Sequence, residues 1–275
     1  MFRLNSQVII EKEKGARYIF NGIAGCRLET DMSSLTSTCT VKLPRKVKWE
    51  GDRIPIARGD DITVRLGYDE NLTVRFVGKV TIVGIHAPLE LECEDGMCDL
   101  KQKKMGNISQ KKIQLSGLLE MLSLSQIGIC CEVYKDKDLK AFRWSENKKC
   151  ISDLLYYLNN EYQINSFFRL VDDVPILYCG EGLPDPLNKQ TWEFKWGLNL
   201  IKDETKLIVE DGKEYFTGSF ITFGIPEVTA GDRIFFQPGE APGAFYRVKK
   251  VTTDFTVAEE HNSGYRQKIE LGDKL

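Results

Sequence analysis

The sequence predicts a mainly β protein of α+β class, with two related small β-barrels flanking a central α+β module. Three observations predict it. Period-two alternation of apolar and polar residues dominates both ends of the chain. Apolar residues at helical spacing are concentrated in the middle. A Gly-Asp turn followed by a hairpin occurs once in each β-rich end, at Gly59 and at Gly231.

The first hundred residues read as strands. Val8-Ile9-Ile10, Tyr18-Ile19-Phe20 and Cys26–Glu29 are short β-like runs. Leu35–Leu43 puts Leu35, Cys39, Val41 and Leu43 on one face and Thr36, Thr38, Thr40 and Lys42 on the other. Pro44 ends that run, because proline has no N–H to extend a central ladder. Ile62–Leu66 and Leu72–Val83 flank the turn-rich Gly67-Tyr68-Asp69-Glu70-Asn71 and form a hairpin. Leu89, Leu91 and Cys93 alternate with Glu90, Glu92 and Glu94, giving a further strand.

The middle changes character. Leu115, Leu118, Leu119 and Leu122 recur at helical spacing, with Gly117 as a mild cost. Ile129–Tyr134 returns to strand. Ile151, Leu154, Leu155, Leu158 and Tyr162 step by three and four, which specifies an amphipathic helix. Strands at Ser166–Leu170 and Pro175–Cys179 follow, joined by Asp172-Asp173. Gly182-Leu183-Pro184-Asp185-Pro186 then reads as a linker. The last part is β-rich again: Trp192, Phe194 and Trp196 alternate, and Lys206–Val209, Ser219–Phe223, Arg233–Phe236, Phe245–Val251 and Tyr265–Leu271 suit strands. The expected domains are residues 1–106, 107–186 and 187–275.

Composition sets limits on function. With 275 residues, 42% of them hydrophobic, the chain can bury a sizeable core in two or three modules. A formal charge of −2 argues against a dedicated nucleic-acid binder, which normally carries a basic surplus. Lys101-Gln102-Lys103-Lys104, Lys111-Lys112 and Lys148-Lys149 are the best basic patches, but no aromatic platform interleaves them. Met1-Phe2-Arg3-Leu4-Asn5 opens no long apolar run, and no stretch approaches the roughly 20 apolar residues of a spanning helix. The expectation is a chain folded in the cytosol, with no stable nucleic-acid binding and no membrane insertion. In that compartment its eight cysteines are read as reduced, packed thiols. Cys39, Cys130, Cys131 and Cys179 sit in apolar patterns as small buried hydrophobes.

No constellation for catalysis or metal binding emerges. His86, Cys93 and Cys98, with Glu94, Asp95 and Asp99, are the densest group of possible ligands. A structural zinc site needs tight pairs, and no second pair follows. Asp136-Lys137-Asp138 begins like an acidic calcium loop but lacks the Gly and distal Glu. His86 and His261 lack a nucleophile motif, and no G-x-S-x-G or phosphate-binding loop is present. Pairs such as Glu94-Asp95 arise freely among 40 acidic residues and do not specify a hydrolase. No catalytic, cofactor-binding or metal residue is therefore expected.

The repeat carries more information. Gly59-Asp60-Asp61-Ile62-Thr63-Val64 leads through a turn to Arg75-Phe76-Val77-Gly78-Lys79-Val80. Gly231-Asp232-Arg233-Ile234-Phe235-Phe236 leads to Arg247-Val248-Lys249-Lys250-Val251. Gly permits an unusual backbone angle, and Asp can bond its own backbone.

These residues, with Leu66-Gly67-Tyr68, Leu91-Glu92-Cys93-Glu94-Asp95-Gly96-Met97 and Leu100-Lys101, resemble the first barrel of phage baseplate hub proteins. Those are the late-control-D-like and Mu-like tail proteins, related to the base of type VI secretion spikes. The Leu35–Pro44 strand and the ending Ser263-Gly264-Tyr265-Arg266-Gln267-Lys268-Ile269-Glu270-Leu271-Gly272 fit as well. The resemblance implies a structural, non-enzymatic homotrimer. Its six barrels would form a pseudo-sixfold ring joining the tail tube to a central spike. It also implies a virion tail location after assembly in the bacterial host cytoplasm. The alternatives are a tail-associated cell-wall hydrolase and a β-barrel binding module outside any tail.

Overall fold

The computed structural model describes residues 3–13, 15–44, 55–145, 149–186, 190–210, 212–257 and 263–275. His261 and Lys148 lie outside the described residues.

The first β unit contains β1 (Leu4–Glu11), β2 (Arg17–Asn21), β3 (Gly25–Asp31), β4 (Thr38–Lys42), β5 (Asp61–Tyr68), β6 (Asn71–Val83) and β7 (Glu90–Glu94). Its strands pair antiparallel in the order β3-β4-β7-β6-β5-β1-β2. Alternation explains which face is inside. Ile62, Val64 and Leu66 of β5 are buried, as are Cys39 and Val41 of β4 and Leu91 and Cys93 of β7. Asp69 turns the β5–β6 hairpin at φ 52°, a left-handed conformation that Asp tolerates better than most residues.

The central module contains α1 (Met97–Gln102), β8 (Ile108–Gln114), α2 (Leu115–Met121), β9 (Cys130–Lys135), β10 (Asp138–Trp144), α3 (Ile151–Tyr162), β11 (Ile164–Val171) and β12 (Val174–Glu181). β8 pairs β10; β11 and β12 form a hairpin, and β9 adds parallel to β12. The predicted helical stripe is the buried face of α3: Ile151, Leu154, Leu155 and Leu158 all face a core shared with Leu115, Leu118 and Phe142. At its start the N–H of Cys150 donates to Asp153 at 2.8 Å. Asp172 and Asp173, at φ 49° and 67°, make the two-residue turn between β11 and β12.

The second β unit contains β13 (Trp192–Lys195), β14 (Leu200–Glu210), β15 (Lys213–Phe223), β16 (Arg233–Gln237), β17 (Ala244–Thr256) and β18 (Gly264–Lys274). Its order is β14-β15-β18-β17-β16-β13, with β13 parallel to β16. Its core is aromatic: Phe220 stacks on Phe236 at 4.8 Å, and Phe194 packs on Phe220 at 5.1 Å.

The mainly β, α+β class holds. The two barrels are not closed within the described residues, where the pairing runs as one open 13-stranded sheet. The cause is β17, which pairs β16 along its first half and β3 of the other unit along its second. Three further expectations are corrected. Cys130 and Cys131 are exposed, because β9 is an edge strand of its small sheet. Leu35 precedes β4 and packs against the central core, apart from the face shared by Cys39, Val41 and Leu43. Trp196 lies past the end of β13 and is 56% exposed. Strands β8 and β10 are additional to the sequence reading.

Candidate assembly interface

The repeated Gly-Asp turns have the same backbone in both units. Gly59 sits at φ 92° and Gly231 at φ 91°, a region that L side chains rarely adopt. The N–H of Gly59 donates to Val80 and that of Gly231 to Val248, each at 2.8 Å. The N–H of Val80 returns to Asp60 at 2.9 Å, and that of Val248 to Asp232 at 2.8 Å. Each Asp also closes its own turn. The Asp60 carboxylate accepts from Ala57 N–H at 2.8 Å, and Asp232 from Thr229 N–H at 2.9 Å. Both acids are buried beside a cation: Lys12 lies 3.4 Å from Asp60, and Arg169 of β11 pairs with Asp232.

From these turns outward the two units stay in step. Ladder order β3-β4-β7-β6-β5-β1 in the first matches β14-β15-β18-β17-β16-β13 in the second. Both long strands carry a bulge just past the anchored valine, at Thr81 and at Lys249, where an extra residue opposes one on the partner. One row across the first unit runs Ile82–Glu92–Thr40–Arg27. Its counterpart runs Lys250–Glu270–Ser219–Glu204. The outermost strands differ, since β1 is antiparallel to β5 whereas β13 is parallel to β16.

The units are welded along β17 and β3, from Lys250 opposite Asp31 to Thr256 opposite Gly25. Side chains reinforce the joint. Tyr265 of β18 and Phe255 of β17 sit in the core of the first unit. Arg75 of β6 donates to the Tyr265 hydroxyl at 2.6 Å and lies 3.3 Å from Glu227. Burial of the Tyr265 phenol pushes its pKa up, so it stays a neutral partner for Arg75. The central module is tied in by Arg169 to Asp232 and by Arg247 to the carbonyl of Pro184. Sequence reading missed the pairing of Arg75 with Tyr265 and of Arg169 with Asp232, which join residues 190 and 63 positions apart and leave no local pattern.

The other singled-out residues have structural places. Asp136 accepts from the N–H of Ser116 at 3.1 Å and its hydroxyl at 2.6 Å, which anchors the start of α2. Glu94 pairs with Lys101 at 2.7 Å, while its neighbour Asp95 turns inward. Asp95 is 4% exposed and accepts from the N–H groups of Ser37 and Met97 at 2.7 and 3.0 Å. Burial outweighs those donors and holds its pKa at about 6. Cys93 and Cys98 are buried, and Cys26 and Cys39 lie 3.7 Å apart in the same core as Cys93. Among the described residues, no group of three or more His, Cys, Asp or Glu side chains is placed to hold a metal ion. Lys112 pairs with Asp138 at 2.9 Å, and Lys149 lies 6.0 Å from the Trp144 ring centre. No described helix is long and apolar enough to cross a membrane.

No protein-family model matches the chain, and no curated protein does. Solved structures do. A tail protein from Neisseria meningitidis MC58 matches with a TM-score of 0.67 at 10% identity, over 99% of this chain and 96% of that one. The 43 kDa tail protein of prophage MuSo2 from Shewanella oneidensis matches at 0.68 and 10% identity, over 97% and 96%. The chain has the fold of phage tail proteins. The E. coli c3393 protein, a type VI secretion component, shares it with a TM-score of 0.61 at 10% identity, over 90% of this chain and 73% of that one. These are the groups that the sequence resembles. Within this chain the β17–β3 weld is the strand pairing that sets one β unit against the other.

Proposed function

We propose that the chain is a structural, non-enzymatic subunit of a phage-type tail baseplate hub, a homotrimeric ring joining the tail tube to a central spike. The observation that carries this is the duplication. Two β units of one ladder order already stand edge to edge in a single chain, so three chains present six such units. A tube of sixfold symmetry and a spike of threefold symmetry would both find matching surfaces on such a ring. The modules in this reading are residues 1–106, 107–186 and 187–275. The working location is the virion tail, after assembly in the host cytoplasm.

The test is direct. The chain is expected in purified tail particles in equal copy number to the spike protein, and to bind that spike in solution. Its absence from tails, with no binding to tube or spike, would reject the reading.

A further inference from the structure

We propose that the β8–β10 ribbon of the central module is a docking site for an acidic, extended segment of a second protein, which adds along the open edge of β8. The fold gathers on this ribbon the basic residues of two separate stretches of sequence. Lys112 lies opposite Lys140, and Arg143 opposite Ser109. Past these strands the two segments stay paired: Met105 N–H donates to the carbonyl of Lys149 at 3.2 Å, and Ile151 N–H to that of Lys103 at 3.0 Å. Lys104 bridges Cys150 between them. Lys103, Lys104, Lys111, Lys112, Lys140, Arg143 and Lys149 are all exposed along this one strip.

The charge is one-sided. Residues 101–114 carry five lysines and no acid. Lys101 is paired with Glu94 at 2.7 Å and Lys112 with Asp138 at 2.9 Å. Among the described residues, Lys103, Lys104, Lys111, Lys140 and Arg143 make no ion pair. The backbone is bent out of its usual range to present two of them. Strict alternation along β10 would put Arg143 on the buried face with Leu139. Ala141 at φ 50° shifts that alternation, so Leu139, Phe142 and Trp144 are buried while Lys140 and Arg143 are both exposed.

Edge and charge together select the partner. Among the described residues β8 pairs with β10 alone, and Ser109, Gln110, Lys111 and Lys112 are all exposed. An incoming strand therefore meets free N–H and C=O groups. A second copy of this ribbon is repelled, because lysine would face lysine, whereas a strand bearing carboxylates is attracted. No large apolar side chain is exposed in residues 101–114 or in the described residues of 138–149, so the strip lacks the anchors of a membrane-seated surface. No aromatic ring is exposed there for bases to stack on.

Fluorescence anisotropy and amide hydrogen exchange test the site in the full chain. The probe is a labelled peptide of about twelve residues, long enough to span β8, in which Glu alternates with Thr. A peptide with Gln for each Glu is the control. The Glu peptide is expected to bind at least about tenfold tighter than the control, to weaken as salt is raised, and to slow exchange in β8. Lys104→Glu with Lys111→Glu is expected to weaken it about tenfold, while Lys111→Arg binds as wild type. Circular dichroism checks folding, and Lys111→Gln with Lys140→Gln decides the matter if the reversed variant is unfolded. Equal binding of the two peptides, undiminished binding by a folded reversed or neutralised variant, or unchanged exchange in β8 would overturn the proposal. So would tighter binding of duplex DNA, or of phosphatidylglycerol vesicles, than of the Glu peptide. The hub reading does not depend on any of these results, because it is tested on purified tails.

Discussion

Arg169 of the central module donates from Nη2 to the carboxylate of Asp232, the acid of the second Gly-Asp turn. The first turn has a weaker equivalent in Lys12 and Asp60. In the second pair both side chains are almost out of water, at 12% and 3% exposed. Removing Arg169 would strand a buried anion that its own turn cannot neutralise. Arg169→Met is expected to cost about 3 kcal/mol. Lys12→Met should cost no more than about 1 kcal/mol, because that cation is partly solvated. Urea unfolding of the two variants checks the order, and equal costs would remove the special role of Arg169.

The two turn glycines should also differ. Both need a left-handed backbone, so Gly59→Ala is expected to cost about 1–2 kcal/mol. A Cβ at Gly59 would meet nothing within 4 Å, whereas one at Gly231 would lie 2.9 Å from the Met32 sulfur. Gly231→Ala should therefore be the more destabilising of the two. Denaturation midpoints measured side by side decide it.

Asp95 makes stability depend on pH in a direction opposite to that of most carboxylates. Burial raises its pKa from 3.8 to about 6 in the folded chain. The folded state therefore holds this proton more tightly than the unfolded state does. The Asp95 contribution is fully present below pH 3.8 and is lost as pH rises through about 6. Asp95→Asn mimics the neutral form. Its stability relative to wild type should rise by at most about 1.4 kcal/mol per pH unit across that window. A difference that stays flat with pH would refute the assignment.

Thiol labelling separates the cysteines. Cys130 and Cys131 are exposed and should react with a maleimide in the native chain. Cys26, Cys39, Cys93 and Cys179 should react only after denaturation. A hydrogen bond with Cys179 lowers the Cys131 pKa, which favours its thiolate. Cys131 should accordingly label faster than Cys130, as followed by peptide mass spectrometry. Because all eight cysteines are free, a reducing agent with a strong chelator should leave Tm unchanged.

Much of this was legible in the sequence, for reasons particular residues make plain. Ile62, Val64 and Leu66 announce a half-buried strand because successive side chains point to opposite faces. The stripe from Ile151 to Leu158 announces α3 because its spacing matches the helical turn. The Gly59 and Gly231 repeat was visible because a positive φ and an Asp that closes its own turn leave a mark in adjacent residues. Strand β10 was not visible: Leu139, Phe142 and Trp144 are buried, but Ala141 at φ 50° breaks the alternation between them. Strand β8 is exposed at most positions, so it carries no apolar period.

The sequence by itself determined the local rules: which segments extend, which coil, where each hairpin turns, and that one turn is used twice. Only the tertiary structure decided how the halves meet. The pairing of β17 with β3, the burial of Tyr265 in the other unit's core, and the reach of Arg169 to Asp232 join residues far apart in the chain. Backbone hydrogen bonds across an edge are the same for any side chains, so the sequence cannot mark which edge receives which strand. That choice is made when the packed cores bring two particular edges together.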